Sequence, residues 1–284
     1  MEIDRKELKR QAREAMKLTN PSFWLVTLVY ILITTGLSIL VSNVIPAKVF
    51  GSLGLFSVFI IFFITLYSWV VRFGFDLWSL WSWRKLDPGM GSLLQGFTVT
   101  GRVIIMNLLI TLRTFGWALL FSLLAAPFVV VSPTLAGLGA VAAALATMFV
   151  ALRYSLAPYL LADHPDDGAS AAVRRSVMLM NGWGWELCKL ELSFLGWMVL
   201  EFLLEVGVML VLFWVSGGLP HLFIGNAQLL QVQLIAMLNS LAYILLSNLV
   251  RLPLLLWLLP YRGVSRAGFY ENRLKAQMEQ APEL

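Results

Sequence analysis

From about residue 22 to residue 260 the chain alternates long apolar stretches with short polar interruptions. The stretches fall at about 22–45, 52–83, 103–131, 134–161, 187–216 and 227–260. A helix needs ~20 apolar residues to cross a bilayer. The pattern therefore predicts an all-α, polytopic membrane protein of about six transmembrane helices. The second stretch is longer than a bilayer requires, so it tilts or projects. Its end, DLWSLWSW, sets Trp78, Trp81 and Trp83 where an interfacial aromatic belt is expected, and Trp183, Trp185, Trp257 and Tyr261 can serve the last two spans likewise.

The polar interruptions are informative. Asp4 with Glu7 fits a capping box that opens a short basic helix, and Leu8, Ala12, Ala15 and Met16 give it a modest apolar stripe. Residues 1–20 are thus expected as an amphipathic helix, either lying on the membrane surface or simply solvated. The turn DHPDDGAS offers Asp167 and Ser170 as N-caps for a helix ending at Gly182. Along it Val173, Val177 and Met180 share one face, while Arg174 and Arg175 can reach lipid phosphates. An elbow packed between spans explains 163–186 equally well. The division expected is an N-terminal helix (1–20), a transmembrane domain (21–262) and a C-terminal tail (263–284).

Charge sets the orientation. With the N-terminus inside, sixteen basic residues fall in cytoplasmic segments: Arg5, Lys6, Lys9, Arg10, Arg13, Lys17, Arg84, Lys85, Arg102, Arg174, Arg175, Lys189, Arg262, Arg266, Arg273 and Lys275. The outer connections hold only Lys48. That bias predicts both termini in the cytoplasm, with the spans as three helical hairpins. Composition agrees: 59% of residues are hydrophobic and 13% charged, far fewer charges than a soluble domain carries. The net charge of +5 follows from topology and attraction to anionic lipid, so nucleic acid is not an expected partner. One cysteine, Cys188, excludes an internal disulfide.

Four segments occur in a telling order: ELKRQAREAMK, LRYSLAPYLLADHPD, AAVRRSVMLMNGWGWELCKLELSFLGW and YRGVSRAGFYENRL. Together they resemble the bacterial integral membrane family catalogued as Domain of Unknown Function 975. The positions that carry the resemblance are Arg153, Tyr154, Ser155, Asp163, Pro165, Ser176, Gly182, Trp185, Leu190, Ser193, Phe194, Trp197 and Tyr270. His164 departs from the asparagine frequent there. The resemblance implies a multi-pass protein of a bacterial cytoplasmic membrane and no reaction.

Charges inside the spans are costly, ~2.5–3.5 kcal/mol each on insertion scales. Arg72, Arg113, Arg153 and Arg251 lie ten to twelve residues inside the nearest polar marker (Arg84, Arg102, Asp163 and Arg262). At 1.5 Å per residue that is ~15–18 Å. Asp76, Glu201 and Glu205 fall nearby in count, so a mid-membrane cluster is expected. It serves either as a cavity open to the cytoplasm for a small anion or anionic lipid, or as a buried salt-bridge network in a structural or accessory subunit. In the first reading Arg72, Arg113, Arg153, Arg251, Asp76, Glu201 and Glu205 form the ligand site, and Arg174 with Arg175 meets the lipid surface. Pro127, Pro158 and Pro253 are candidate helix breaks. No zincin, Walker or Gly-x-Ser-x-Gly pattern occurs, so no catalytic residue, cofactor or metal is assigned. His164 with Asp163, Asp166 and Asp167 is better read as a capping turn than a cation site.

Overall fold

In the computed structural model the described residues are 4–44, 54–128, 132–217 and 227–280. Lys48 and His221 lie outside them. The helices are α1 (Arg5–Lys17), α2 (Phe23–Ile31), α3 (Leu37–Val44), α4 (Gly54–Trp83), α5 (Ser92–Gln95), α6 (Thr100–Ala125), α7 (Pro133–Leu152), α8 (Ala157–Asp163), α9 (Ala169–Leu179), α10 (Gly184–Leu192), α11 (Leu195–Val215), α12 (Ala227–Leu238) and α13 (Leu241–Gln280). A π-helical turn (Leu32–Gly36) joins α2 to α3, and a 3-10 turn (Gly96–Val99) follows α5. There is no strand among the described residues. Among the described residues six segments are long and apolar enough to cross a membrane: Phe23–Val41, Val58–Trp83, Ser92–Ala125, Pro133–Asp163, Leu195–Val215 and Leu241–Glu279. The chain is a multi-pass membrane protein.

Helix breaks occur where side chains take over freed carbonyls. Between α7 and α8, Pro158 has no N–H to offer Tyr154; Ala157 N donates to that carbonyl instead at 3.1 Å. Ser155 Oγ donates to Leu152 O at 2.7 Å, and Ser176 Oγ donates to Arg153 O at 2.8 Å. Pro253, a candidate break, lies inside the unbroken α13, as does Pro260. That helix also runs on through most of the expected tail.

The buried core sits at one end of the bundle, here called the basic end. It gathers Val70, Phe73, Trp78 and Leu80 of α4, Leu93, Met106, Tyr159, Val173, Leu190, Phe194 and the α13 residues Tyr261, Val264, Phe269 and Tyr270. Toward the other end, side chains such as Phe62, Leu112, Leu145 and Phe202 face outward, as a lipid-facing surface requires. The α1 stripe is neither on a lipid surface nor solvated: Leu8, Ala12, Ala15 and Met16 are all buried, because α1 packs on α13 and α4. Asp4 does cap α1, accepting from Lys6 N and Glu7 N, but Glu7 turns to Arg10 and Gln11 rather than closing the box.

Glycines fix how the helices meet. A Cβ on Gly263 would lie 2.5 Å from Ser79 Oγ, and one on Gly268 would lie 2.6 Å from the Trp83 ring. These close approaches hold α4 and α13 side by side, running in the same direction. A Cβ on Gly74 would fall 2.2 Å from Leu93 O, and one on Gly96 would fall 2.3 Å from Val70 O, so the α5 segment lies directly against α4. The aromatic belt is correspondingly thinner than expected. Trp78 is fully buried and stacks on Phe75 at 5.6 Å. Trp257 packs against Trp197 and Tyr261. Trp185 remains widely exposed.

Candidate functional site

Among the described residues three groups of charged side chains bear on the site, and the first closes the basic end. Asp163, at the end of α8, receives both Nη atoms of Arg84 at 2.6 and 2.7 Å. Such a two-point fit holds orientation as well as charge. Arg84 Nε donates to Glu271 at 2.6 Å, and the Tyr270 hydroxyl donates to Asp163 at 2.7 Å. Beside them Glu191 accepts from Arg262 at 2.7 Å and from Arg266 Nε. Burial alone would push the Glu191 carboxyl up, but the two guanidiniums outweigh it and hold it below its ordinary range. Lys9 of α1 reaches across to donate to Ser193 O and Oγ at 3.1 and 3.0 Å, with its ammonium 4.2 Å from the centre of the Phe194 ring.

The second group lines a cavity of about 160 Å³ between α2, α4 and α13. Its walls carry Arg72, Arg262 and Arg266, one carboxylate in Asp76, the Tyr30 ring and the apolar Leu259 and Phe75. Tyr30 stacks on Phe75 at 4.5 Å, which fixes the α2 side. Arg72 is exposed, and the ion pairs among the described residues give it no carboxylate partner. Asp76, one turn away and half-buried, feels both Arg72 and Arg266 electrostatically. Nε of Arg262 is buried and makes no hydrogen bond among the described residues. Three guanidiniums therefore face one carboxylate here, and Glu191 lies behind two of them.

The third group lies deeper among the apolar helices. Arg251 of α13 sits 3.1 Å from Glu205 and 3.6 Å from Glu201, both of α11. The Tyr243 hydroxyl donates to Glu205 at 3.2 Å. Here one arginine faces two carboxylates.

The residues expected in one cluster are thus divided. Arg72 and Asp76 join Arg262 and Arg266; Arg251, Glu201 and Glu205 join one another; Arg113 and Arg153 pair with no carboxylate among the described residues. The expected common level also splits. With Glu271 beside Arg84, Gly268 beside Trp83 and Gly263 beside Ser79, Arg251 lies level with about residue 66 of α4. That is some six residues, or ~9 Å, from the level of Arg72. Arg153 caps the end of α7 with its side chain exposed.

At the elbow, Ala172, Val173, Ser176, Leu179 and Met180 are buried, since α9 packs on α6 and α8. Of the two readings, the packed elbow describes this face. Arg174 and Arg175 stay exposed on the other face. Neither expected cap acts: Gly168 takes the N-cap position with φ +82° and no side-chain bond. Asp167 instead pairs with Arg175 at 2.5 Å, and Asp166 reaches Arg102 at 3.4 Å. The turn's three carboxylates therefore point to three different arginines. Cys188 is buried and free.

Arg262, Arg266 and Glu191 were absent from the expected site. Their signal was carboxylates and arginines in segments assigned to topology alone, with pairing partners 71 and 75 residues apart. Compared with known proteins, residues 129–277, slightly more than half of the chain, match a family model described as Protein of unknown function (DUF975). No curated protein matches, and no solved structure does.

Proposed function

The chain belongs to the DUF975 family of proteins of unknown function, a premise that brings no reaction with it, and we propose that it is a non-enzymatic integral membrane protein holding an acidic ligand in the cavity between α2, α4 and α13. The observation that carries this reading is the cavity's charge: Arg72 has no ion pair among the described residues, and Arg262, which shares Glu191 with Arg266, keeps a buried Nε unused. A buried donor without an acceptor is costly, and a planar guanidinium suits a carboxylate or phosphate. In this reading the basic end faces the cytoplasm of a bacterial inner membrane, as the lysine and arginine distribution supports.

A scaffold role is favoured by a different observation, the compensated Arg251–Glu201–Glu205 group together with the ion pairs of Arg84 and Glu191. Thermal unfolding of the purified protein with a panel of small phosphates and carboxylates separates the two. A ligand that binds only the folded state raises the midpoint by mass action, ~2.7 kcal/mol at one hundred times Kd. The expected outcome is stabilisation by at least one acid, lost in Arg72→Gln and kept in Arg113→Gln. No stabilisation by any member, with no acid co-purifying, leaves the scaffold role.

A further inference from the structure

We infer that the acidic group is the phosphate of a membrane glycerophospholipid that enters the cavity sideways from the leaflet at the basic end; this rests on the acidic-ligand reading above. Two helix lengths put the cavity at the phosphate layer. Helix α7 has 20 residues, ~30 Å, which equals the hydrocarbon thickness of a bilayer, and it stops at Leu152 with Arg153 exposed. On α4, Arg72 lies level with about residue 257 of α13, by the close approaches of Gly263 to Ser79 and of Gly268 to Trp83. On α13, ~20 residues from Leu241 reach Pro260, just before Arg262. Beyond these points α4 and α13 continue outside the hydrocarbon, because their 30 and 40 residues are more than a span requires.

The surroundings agree with that depth. Against Val70 and Gly74, at the same level, lie the short α5 and the 3-10 turn after it, whose Leu94 and Phe97 are 60% and 43% exposed. Outward apolar side chains at the start of the long Ser92–Ala125 segment fit the boundary between acyl chains and headgroups. Within the cavity the apolar Leu259 and Phe75 stand next to the three arginines. A hydrated free ion has no use for such a wall, whereas a lipid has a glycerol and acyl region to lay against it. Arg72, exposed on the flank of α4, is the side chain that a headgroup arriving from the leaflet would meet first. Arg262 Nε then supplies a buried donor further in.

The test uses delipidated protein in a neutral detergent and three probes: dihexanoyl phosphatidylglycerol, glycerol phosphate and inorganic phosphate. Affinity is read by native mass spectrometry and by competition. The expected result is binding of the short-chain lipid at least tenfold tighter than either soluble phosphate, weakened at least tenfold by Arg72→Gln. Asp76→Asn, which removes the opposing carboxylate, should tighten it, a gain that misfolding does not produce. Equal or tighter binding of the soluble phosphates, still sensitive to both substitutions, overturns the lipid inference and leaves the acidic-ligand cavity standing. Binding of none of the three, or binding indifferent to both substitutions, overturns both.

Discussion

Arg251 and Arg72 are both arginines on long apolar helices, and their neighbourhoods are opposite. Arg251 has two carboxylates within 4 Å and a tyrosine hydroxyl holding one of them. Arg72 shares its cavity with two more arginines and has no ion pair among the described residues. The difference follows depth. About two turns separate them along the bundle, and an unpaired charge is tolerated only where water or headgroups can reach it. Pairing at the deeper level holds α11 to α13; at the shallower level Arg262 and Arg266 share Glu191, and Arg72 has no ion pair among the described residues.

Four experiments break or sharpen that contrast. The largest effect is expected from Arg251→Leu, which leaves Glu201 and Glu205 facing each other among apolar helices. A loss of ~3–5 kcal/mol is the usual cost of removing one partner of a buried pair, read as a lowered unfolding midpoint in detergent. A small loss would place that group in water instead. Combining Arg251→Met with Glu201→Gln and Glu205→Gln should recover most of it, since uncharged replacements of such groups are often neutral. Failure to recover would mean that the charges do more than balance. Arg72→Leu should change stability by less than ~1 kcal/mol, the range for groups outside a paired network; a loss as large as that of Arg251→Leu would abolish the distinction.

The smallest effect concerns Glu191. Its carboxyl is held below the ordinary range in the folded protein, so its contribution is complete above the unfolded value of ~4.3 and is lost as pH falls through and below it. Acid unfolding curves should show this loss in the native chain and not in Glu191→Gln. An identical acid limb in both would detach Glu191 from Arg262 and Arg266.

The six spans were legible because twenty-residue apolar runs have few alternatives. The site was legible in its residue types but not in its grouping. Counting inward from Arg84, Arg102, Asp163 and Arg262 assumed that these residues mark the membrane edge. In the fold Arg84 and Asp163 pair with each other at the basic end, and Arg262 lines the cavity itself. Nothing in a linear count shows that α4 and α13 lie in one register, since Gly263 and Gly268 set it by close approach. Trp78 departs from the expected belt for a related reason: the glycines beside its helix make room for a core where an isolated span would face headgroups. Asp163 and Tyr270, by contrast, were already singled out by resemblance, and they meet directly.

The clasp of α1 on α13 has a consequence for the order of manufacture. A chain is made from its N-terminus at ~5–20 residues per second, so α1 emerges long before α13, which supplies most of its binding face. The bond from Lys9 to Ser193 alone spans 184 residues. Until α13 is made, the Leu8–Met16 stripe has only α4 to pack on while the spans are threaded one after another. Final closure of the basic end is therefore a late event, a drawstring pulled after the spans are in place, and a message cut before Tyr261 would yield inserted helices with that end still open.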